Sequence, residues 1–300
     1  MIQVSVIIIN YNTREITNNC IESIKKFTQD INYEIILVDN ASNDGSIELF
    51  SELKEIVFIQ SPQNIGFGKA NNLGVKYARG EYILLLNSDT ILCSNAIKAM
   101  YDFFINNEKE LNIGVLGCTL VGEDGNENGS GNYFPSLKSI IIEKFGGLPI
   151  LNKFLKPKEF ISQVNNENFY KIDYVLGADM FFKKDLFNQV GGFNPEYFMY
   201  YEEAEIQRKI YEKSYFNYIL KNSKIIHLIA KSSDINNVKA SNFKRITVNK
   251  SRVEYLKNIN KLKYYKPYEY LFMVLIFLNF RYSYSENIEY CKEIRNKIKN

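Results

Sequence analysis

The most informative residue by position is Asp89, which follows the apolar run Ile83–Leu86 in the segment EYILLLNSDT, Glu81 to Thr90. The run is brief and Gly80 stands just before it, which favours a central strand over a buried helical segment. A carboxylate at the carboxyl end of such a strand faces the crevice where open α/β sheets bind ligands. Asp89 supplies hard oxygen there, suited to Mg²⁺ or Mn²⁺ carrying a diphosphate. Asn-Ser-Asp-Thr is also ordinary turn and helix-cap chemistry, so its meaning depends on what surrounds it.

Asp39 closes the preceding candidate strand in ILVDNAS, and Asn10-Tyr11-Asn12 follows the first one. Polar groups at the ends of all these strands point to a nucleotide pocket, although Asp39 taken alone reads more readily as a turn or a cap. Asn64-Ile65-Gly66-Phe67-Gly68-Lys69 resembles a phosphate loop but has neither the dinucleotide nor the Walker A spacing. Farther on, FMYYEEAEI places Glu202, Glu203 and Glu205 in a first helical turn, where carboxylates suit the macrodipole. One of them within reach of a hydroxyl would be a general base, with the aromatic residues from Tyr197 to Tyr201 as a partly dry wall and stacking faces for a sugar. His227, the single histidine, follows KII and precedes Lys231-Ser232-Ser233. It is either a structural histidine or a third ligand beside Asp89 and a diphosphate.

Positioning these groups requires a regular frame, and the first 120 or so residues supply one. Strand patterns at Val4–Asn10, Glu34–Asp39, Val57–Gln60 and Ile83–Asn87 alternate with helical ones. The helices include one marked by Ile16, Cys20, Ile24 and Phe27, another over Ile47–Leu53, and one with Ala70, Leu73 and Tyr77 on its inner face. Such alternation predicts a doubly wound, mainly parallel sheet. Gly122–Gly131 reads as a hairpin or loop, and Lys138–Asn168 as an insertion that shapes the acceptor side. The apolar IDYVLGADMFF restores order at Ile172, and helices are expected over Glu202–Lys213, Val248–Leu262 and Glu286–Lys299.

The composition, 46% hydrophobic and 24% charged, is that of a folded globular chain. Four scattered cysteines show no metal spacing and suggest reduced thiols. The first residues lack a basic segment and a cleavage site, so a cytoplasmic location is expected. Charge is uneven: Lys239–Asn300 holds 14 Lys/Arg against 5 Asp/Glu, a balance of +9, in a chain of net charge +3. A basic tail suggests an anionic surface. With no zinc, helix-turn-helix or RNA-binding motif, a nucleic-acid role is not expected. The apolar run Leu271–Leu278 falls far short of the about 20 residues that span a bilayer. Flanked by Lys261, Lys263, Lys266 and Arg281, with Tyr264, Tyr265 and Tyr268 nearby, it reads as a helix lying on a membrane, or as one buried against the catalytic domain or a dimer partner.

Taken together, VSVIIINYN, EIILVDNASNDGS, NIGFGKANNLGVKYARGEYILLLNSDT, GADMFFKKDLFNQVGGFNPEYFMYYEEAE and His227 with KSS behind it resemble the family 2 nucleotide-sugar glycosyltransferases of the GT-A fold, in their rhamnosyltransferase-like branch. The resemblance covers about residues 4 to 233 and implies roles by position. Tyr11, Asn12 and Asp39 would hold the base and ribose of the donor, and Asn64, Gly66 and Asn72 would shape the pocket beneath. Asn87, Ser88 and Asp89 stand at the D-x-D motif, with Asp89 on the metal and Asn87 on the ribose or diphosphate. Glu203 stands where the family usually has the aspartate base of its Glu-Asp pair, one methylene longer, so Glu202 is a second candidate. His227 completes the metal or diphosphate site.

The resulting expectation is an α/β protein of the GT-A fold: a doubly wound, mixed but mainly parallel sheet flanked by helices, with a helical C-terminal extension. Residues 1–235 would form the catalytic domain and 236–300 a basic extension contacting a membrane surface or a second copy in a homodimer. The implied activity is metal-dependent, inverting transfer from a dTDP-rhamnose or UDP-hexose donor, with Mg²⁺ or Mn²⁺, to a glycan or lipid-linked glycan of bacterial surface polysaccharide at the inner face of the cell membrane. The alternative is a non-catalytic nucleotide-sugar-binding relative.

Overall fold

The computed structural model describes residues 1–145, 166–228, 241–278 and 282–299. The β-branched run VSVIIIN forms β1 (Val4–Asn10), followed by α1 (Arg14–Phe27), β2 (Tyr33–Asp39), α2 (Ser46–Ser51), β3 (Ile56–Gln60), α3 (Phe67–Tyr77) and β4 (Tyr82–Asn87). These four strands are parallel in the order β3-β2-β1-β4. The sheet therefore grows outward from β1 first on one side and then on the other. That reversal between β1 and β4 is the switch point at which such sheets open a crevice beyond their carboxyl ends.

Next come β5 (Thr90–Leu92), α4 (Ala96–Leu111), β6 (Ile113–Val121), β7 (Gly131–Asn132), α5 (Leu137–Phe145), β8 (Phe169–Ile172) and β9 (Tyr174–Val175). After them come β10 (Asp179–Lys183), α6 (Lys184–Gln189), α7 (Glu202–Glu212) and β11 (Phe216–His227). β10 inserts antiparallel between β4 and β6, and β11 runs parallel to β6. β5 and β8 both pair antiparallel with β11. The result is the expected mixed, mainly parallel sheet with helices around it.

One face of the sheet packs Ile8, Leu84, Leu86 and Phe181 with Cys20, Ile21 and Ile24 of α1 and Ile97, Met100 and Phe104 of α4. Against the other face, α3 keeps Ala70 of the inner side expected for it but turns Tyr77 outward. The buried residues are Gly68, Ala70, Asn71, Gly74 and Val75. Small residues win this face because the helix lies almost on the strands: a Cβ at Gly74 would stand 2.6 Å from Ile7 Cγ2.

Two compact units emerge, Met1–Tyr133 with Ser162–Pro195 and Glu203–Asn237, and Phe134–Ile161 with Glu196–Glu202 and Val238–Asn300. The second contains α5, α8 (Asn242–Asn258), α9 (Leu262–Leu275) and α10 (Tyr284–Lys299). α8 starts earlier than its apolar pattern suggests because Ser241 caps it, accepting from Lys244 N at 3.2 Å. It ends before Asn260, whose backbone is left-handed (φ 56°). Most of the expected insertion, and Lys231-Ser232-Ser233, lie outside the described residues.

Inside the helical unit, Lys144 and Glu269 are buried together, Nζ 2.8 Å from Oε2. Lys144 also donates to Asn249 Oδ1, and Tyr265 and Tyr290 donate to the Glu269 carboxylate at 2.5 and 2.6 Å. Desolvation pushes the Lys144 ammonium down to about 7, against the pull of Glu269. Removing one partner strands the other charge. Lys144→Ala is therefore expected to lower the unit's stability by about 3–5 kcal/mol, and Lys144→Met with Glu269→Leu to recover most of it. Chemical denaturation of both variants checks this.

Candidate active site

Parallel register sets Asn10 beside Asp39, and Ile9 beside Asn87. Asn10 and Asp39 are wholly buried, so every polar atom they carry needs a partner. Asn10 Nδ2 donates to Asp39 Oδ2 at 2.6 Å and to Ser42 Oγ at 3.0 Å, while its Oδ1 accepts from Thr13 and Thr17 at 2.9 and 2.8 Å. The second Asp39 oxygen accepts from Ser42 N at 2.9 Å. Thr13 Oγ1 lies 3.4 Å from Ser88 Oγ, which brings the end of β4 into the same cluster. Asp39 thus shapes the rim from inside. Tyr11 and Asn12 stand on the exposed side of that rim, and Asn12, left-handed at φ 54°, accepts from Asn43 N.

A second tie involves Asn40, a residue that sequence reasoning did not single out. Its side chain donates to Asn64 Oδ1 at 2.9 Å and accepts from Ile65 N at 3.0 Å. This clips the loop after β2 to the turn that opens α3, where Gly66 has φ 82°. Asn72 is committed to a different task. Its amide exchanges both hydrogen bonds with the backbone of Phe193, at 2.8 and 2.9 Å, and so holds the Gly191-Gly192 turn against α3.

Asp89 and His227 do converge. β5 pairs antiparallel with the end of β11, Thr90 opposite His227, and Leu228 N donates to Asp89 O at 2.9 Å. Asp89 Oδ1 then lies 3.3 Å from His227 Nε2, the carboxylate almost buried. Two donor atoms side by side on an octahedral ion with about 2.1 Å bonds are themselves about 3 Å apart. One carboxylate oxygen and one imidazole nitrogen at this spacing therefore fit two coordination positions of a divalent ion. Among the described residues no cluster of three or more His, Cys, Asp or Glu could hold a metal alone.

Glu203 is brought to the entry of β10, the strand that pairs with β4. Gln207, one helical turn later on the same face of α7, is wholly buried and pairs with Val175, accepting from its N and donating to its O at 2.8 Å each. That anchor sets Glu203 over Gly177, where a Cβ would meet Glu203 Cβ at 4.0 Å and the Phe67 ring at 3.7 Å. The next residue, Ala178, accepts from Asn87 N at 2.9 Å. Glu203 is half-buried and Glu202 almost fully buried, so Glu203 is the carboxylate open to an incoming hydroxyl. Burial raises its carboxyl above the ordinary value, partly opposed by a backbone hydrogen bond.

Two residues of the aromatic lead-in, Tyr197 and Tyr201, pack inward. Tyr197 is fully buried and accepts from Asn258 Nδ2 at 3.2 Å. Tyr201 packs on Tyr255 with ring centroids 5.4 Å apart and accepts from Arg252 Nε at 3.0 Å. These two rings pack within the helical unit. Tyr200 and Tyr201 are both left-handed, φ 75° and 70°, a cost of order 1–3 kcal/mol each borne directly before α7. Asn40, Thr13, Thr17, Ser42 and Gln207 carry no residue-type signal beyond being polar next to strand ends or within a helix.

The doubly wound, mixed but mainly parallel sheet with polar strand ends matches the GT-A fold expected of the chain. The chain belongs to glycosyl transferase family 2, whose model matches residues 5–191. It is 26% identical over 205 residues to the low-salt glycan biosynthesis hexosyltransferase Agl10 of Haloferax volcanii, covering 67% of this chain and 59% of that one. Over 120 residues it is 32% identical to the poly(ribitol-phosphate) beta-glucosyltransferase of Bacillus spizizenii, 38% of this chain and 19% of the relative. The chain thus spans less than two thirds of these relatives. A crystal structure of GalNAc-T7 with UDP, GalNAc and Mn²⁺ shares the fold, with TM-score 0.60, 16% identity, and coverage of 86% of this chain and 48% of that one.

Gln207→Leu keeps the helix and removes the anchor, leaving two buried backbone groups of Val175 unpaired. A stability loss of about 2–3 kcal/mol is expected, measured by urea unfolding.

Proposed function

We infer that this chain is an inverting glycosyltransferase acting on a nucleoside diphosphate sugar and a hydroxyl of a glycan or lipid-linked glycan. The observations that support the reading are the Asp89–His227 pair just past β4 and Glu203 over Gly177 at the entry to β10, the strand beside β4. Glu203 would serve as the base for the acceptor and the Asp89–His227 pair as anion-handling groups for the leaving group, the two roles that a single displacement requires. Relatives named as hexosyl- and glucosyltransferases, and a structural neighbour holding UDP with Mn²⁺, support a UDP-hexose donor; dTDP-rhamnose is the other candidate. Relatives named for poly(ribitol-phosphate) glucosylation and minor teichoic acid biosynthesis support an acceptor in cell-surface glycan synthesis.

In this mechanism Glu203 takes the acceptor proton while that oxygen bonds to the anomeric carbon and the bond from that carbon to the diphosphate breaks. Attack from the side opposite the leaving group inverts the configuration, and one base suffices because no covalent sugar–enzyme species forms. Asp89 and His227 would hold Mn²⁺ or Mg²⁺, which supplies Lewis-acid neutralisation of the departing diphosphate. Tyr11 and Asn12, on the exposed rim, would meet the nucleoside, and Asn87 and Ser88 would border the ribose and diphosphate. Asp39, Asn64 and Gly66 fix the rim, and Asn72 holds the turn beside it.

Glu203→Gln is expected to lower kcat by about 10²–10⁴ while donor binding persists, with product anomers read by NMR. The raised carboxyl gives the pH sign. Below it Glu203 is protonated and idle, so wild-type turnover should rise with pH through a value above the ordinary glutamate range. Ionising a carboxyl whose folded value is raised costs native stability once pH exceeds its unfolded value. The glutamine variant should therefore melt higher than wild type at neutral pH. Undiminished turnover in this variant would falsify the assignment.

A further inference from the structure

α9 and the 3-10 turn Ile276–Leu278 that continues it are built inside out. Tyr265, Glu269, Met273 and Ile276 follow one another at helical spacing and are all buried. Glu269 is the one charged residue between Pro267 and Leu278, and it is the side chain held by Lys144, Tyr265 and Tyr290. The opposite side carries Tyr264, Tyr268, Leu271, Val274 and Leu278, again at helical spacing. Leu271, Val274 and Leu278 are 52%, 69% and 74% exposed. Phe277 and Tyr284, rings 5.4 Å apart and both exposed, extend the patch onto α10. A helix that buries its carboxylate and turns its hydrocarbon outward marks an interaction surface.

The charge around the patch selects the occupant. Lys261 and Lys263 stand at the start of α9 with their ammonium groups 5.8 and 4.8 Å from the centre of the Tyr264 ring. Aromatic rings under cations at one end of an apolar face suit the headgroup level of a bilayer. The segment Lys239–Asn300, with 14 Lys/Arg against 5 Asp/Glu, is attracted to anionic lipid and repelled by a second copy of itself. Among the described residues no helix is long and apolar enough to cross a membrane, so contact would be in the plane of the surface.

We propose that the outer face of α9 docks onto an anionic lipid bilayer, with Leu271, Val274 and Leu278 in the acyl boundary and Tyr264, Lys261 and Lys263 at the headgroups. The proposal goes beyond glycosyl transfer and does not depend on it.

Co-sedimentation of the full chain with vesicles tests it, using phosphatidylcholine alone and phosphatidylcholine mixed equally with phosphatidylglycerol. The mixed vesicles should bind, the neutral ones far less, and salt should release the protein. Lys261→Gln with Lys263→Gln should weaken binding about 25-fold, roughly fivefold per lysine. Leu271→Ser with Val274→Ser should weaken it at least about tenfold, with an unchanged melting temperature and circular dichroism spectrum. No binding to mixed vesicles would overturn the proposal, as would retention of binding by the serine variant. Sedimentation of the lipid-free wild type as a dimer that the serine variant dissolves would overturn it too, giving the face to a second copy.

Discussion

The carboxyl edge of the sheet depends on a buried amide. Asn10 has capacity for two donated and two accepted hydrogen bonds, and all four are taken, by Asp39, Ser42, Thr13 and Thr17. A carboxylate as deeply buried as Asp39 is tolerable only when so satisfied. In return it fixes the loop after β2 relative to the end of β1, and through Thr13 and Ser88 the end of β4. A fully satisfied network is rigid. That rigidity lets Asp89 stand in one place while β5 brings His227 to it from 138 residues away in sequence.

Much of this was legible beforehand. Val4–Asn10 read as a strand, the brief run Ile83–Leu86 behind Gly80 favoured a strand over a buried helical segment, and polar residues at their ends followed from parallel topology. The order of the remaining strands was not legible. β10 enters between β4 and β6 antiparallel, and the partners of β11 are set by registers that no local pattern encodes. By residue pattern alone Glu203 was one carboxylate among several, and only the family resemblance singled it out, with Glu202 as a second candidate. What distinguishes it is a tertiary contact, Gln207 on the backbone of Val175, which looks in sequence like any helical glutamine. The packing of Tyr197 and Tyr201 within the helical unit was not legible because aromatic rings serve a core as readily as a sugar, and the partners of Tyr201, Arg252 and Tyr255, lie about fifty residues on.

The helical unit shows the same economy of charge in another form. Lys144 and Glu269 are buried where hydrophobic residues would serve stability as well or better, and sequestering Glu269 leaves the outer side of α9 without a charged residue from Pro267 to Leu278. The strained pair Tyr200 and Tyr201 belongs to this unit and ends where the helix bearing Glu203 begins. Strain of this kind clusters at functional sites.

The most direct test of the central claim, that Asp89 and His227 form a donor-binding centre, is the thermal unfolding of the wild type and Asp89→Asn with UDP and dTDP, each with and without Mn²⁺. Ligand at a hundredfold excess over its Kd should stabilise the wild type by about 2.7 kcal/mol. The account predicts that this stabilisation requires Mn²⁺ and is lost in Asp89→Asn. A nucleotide shift indifferent to both the metal and the substitution, or no shift with either nucleotide, would contradict it.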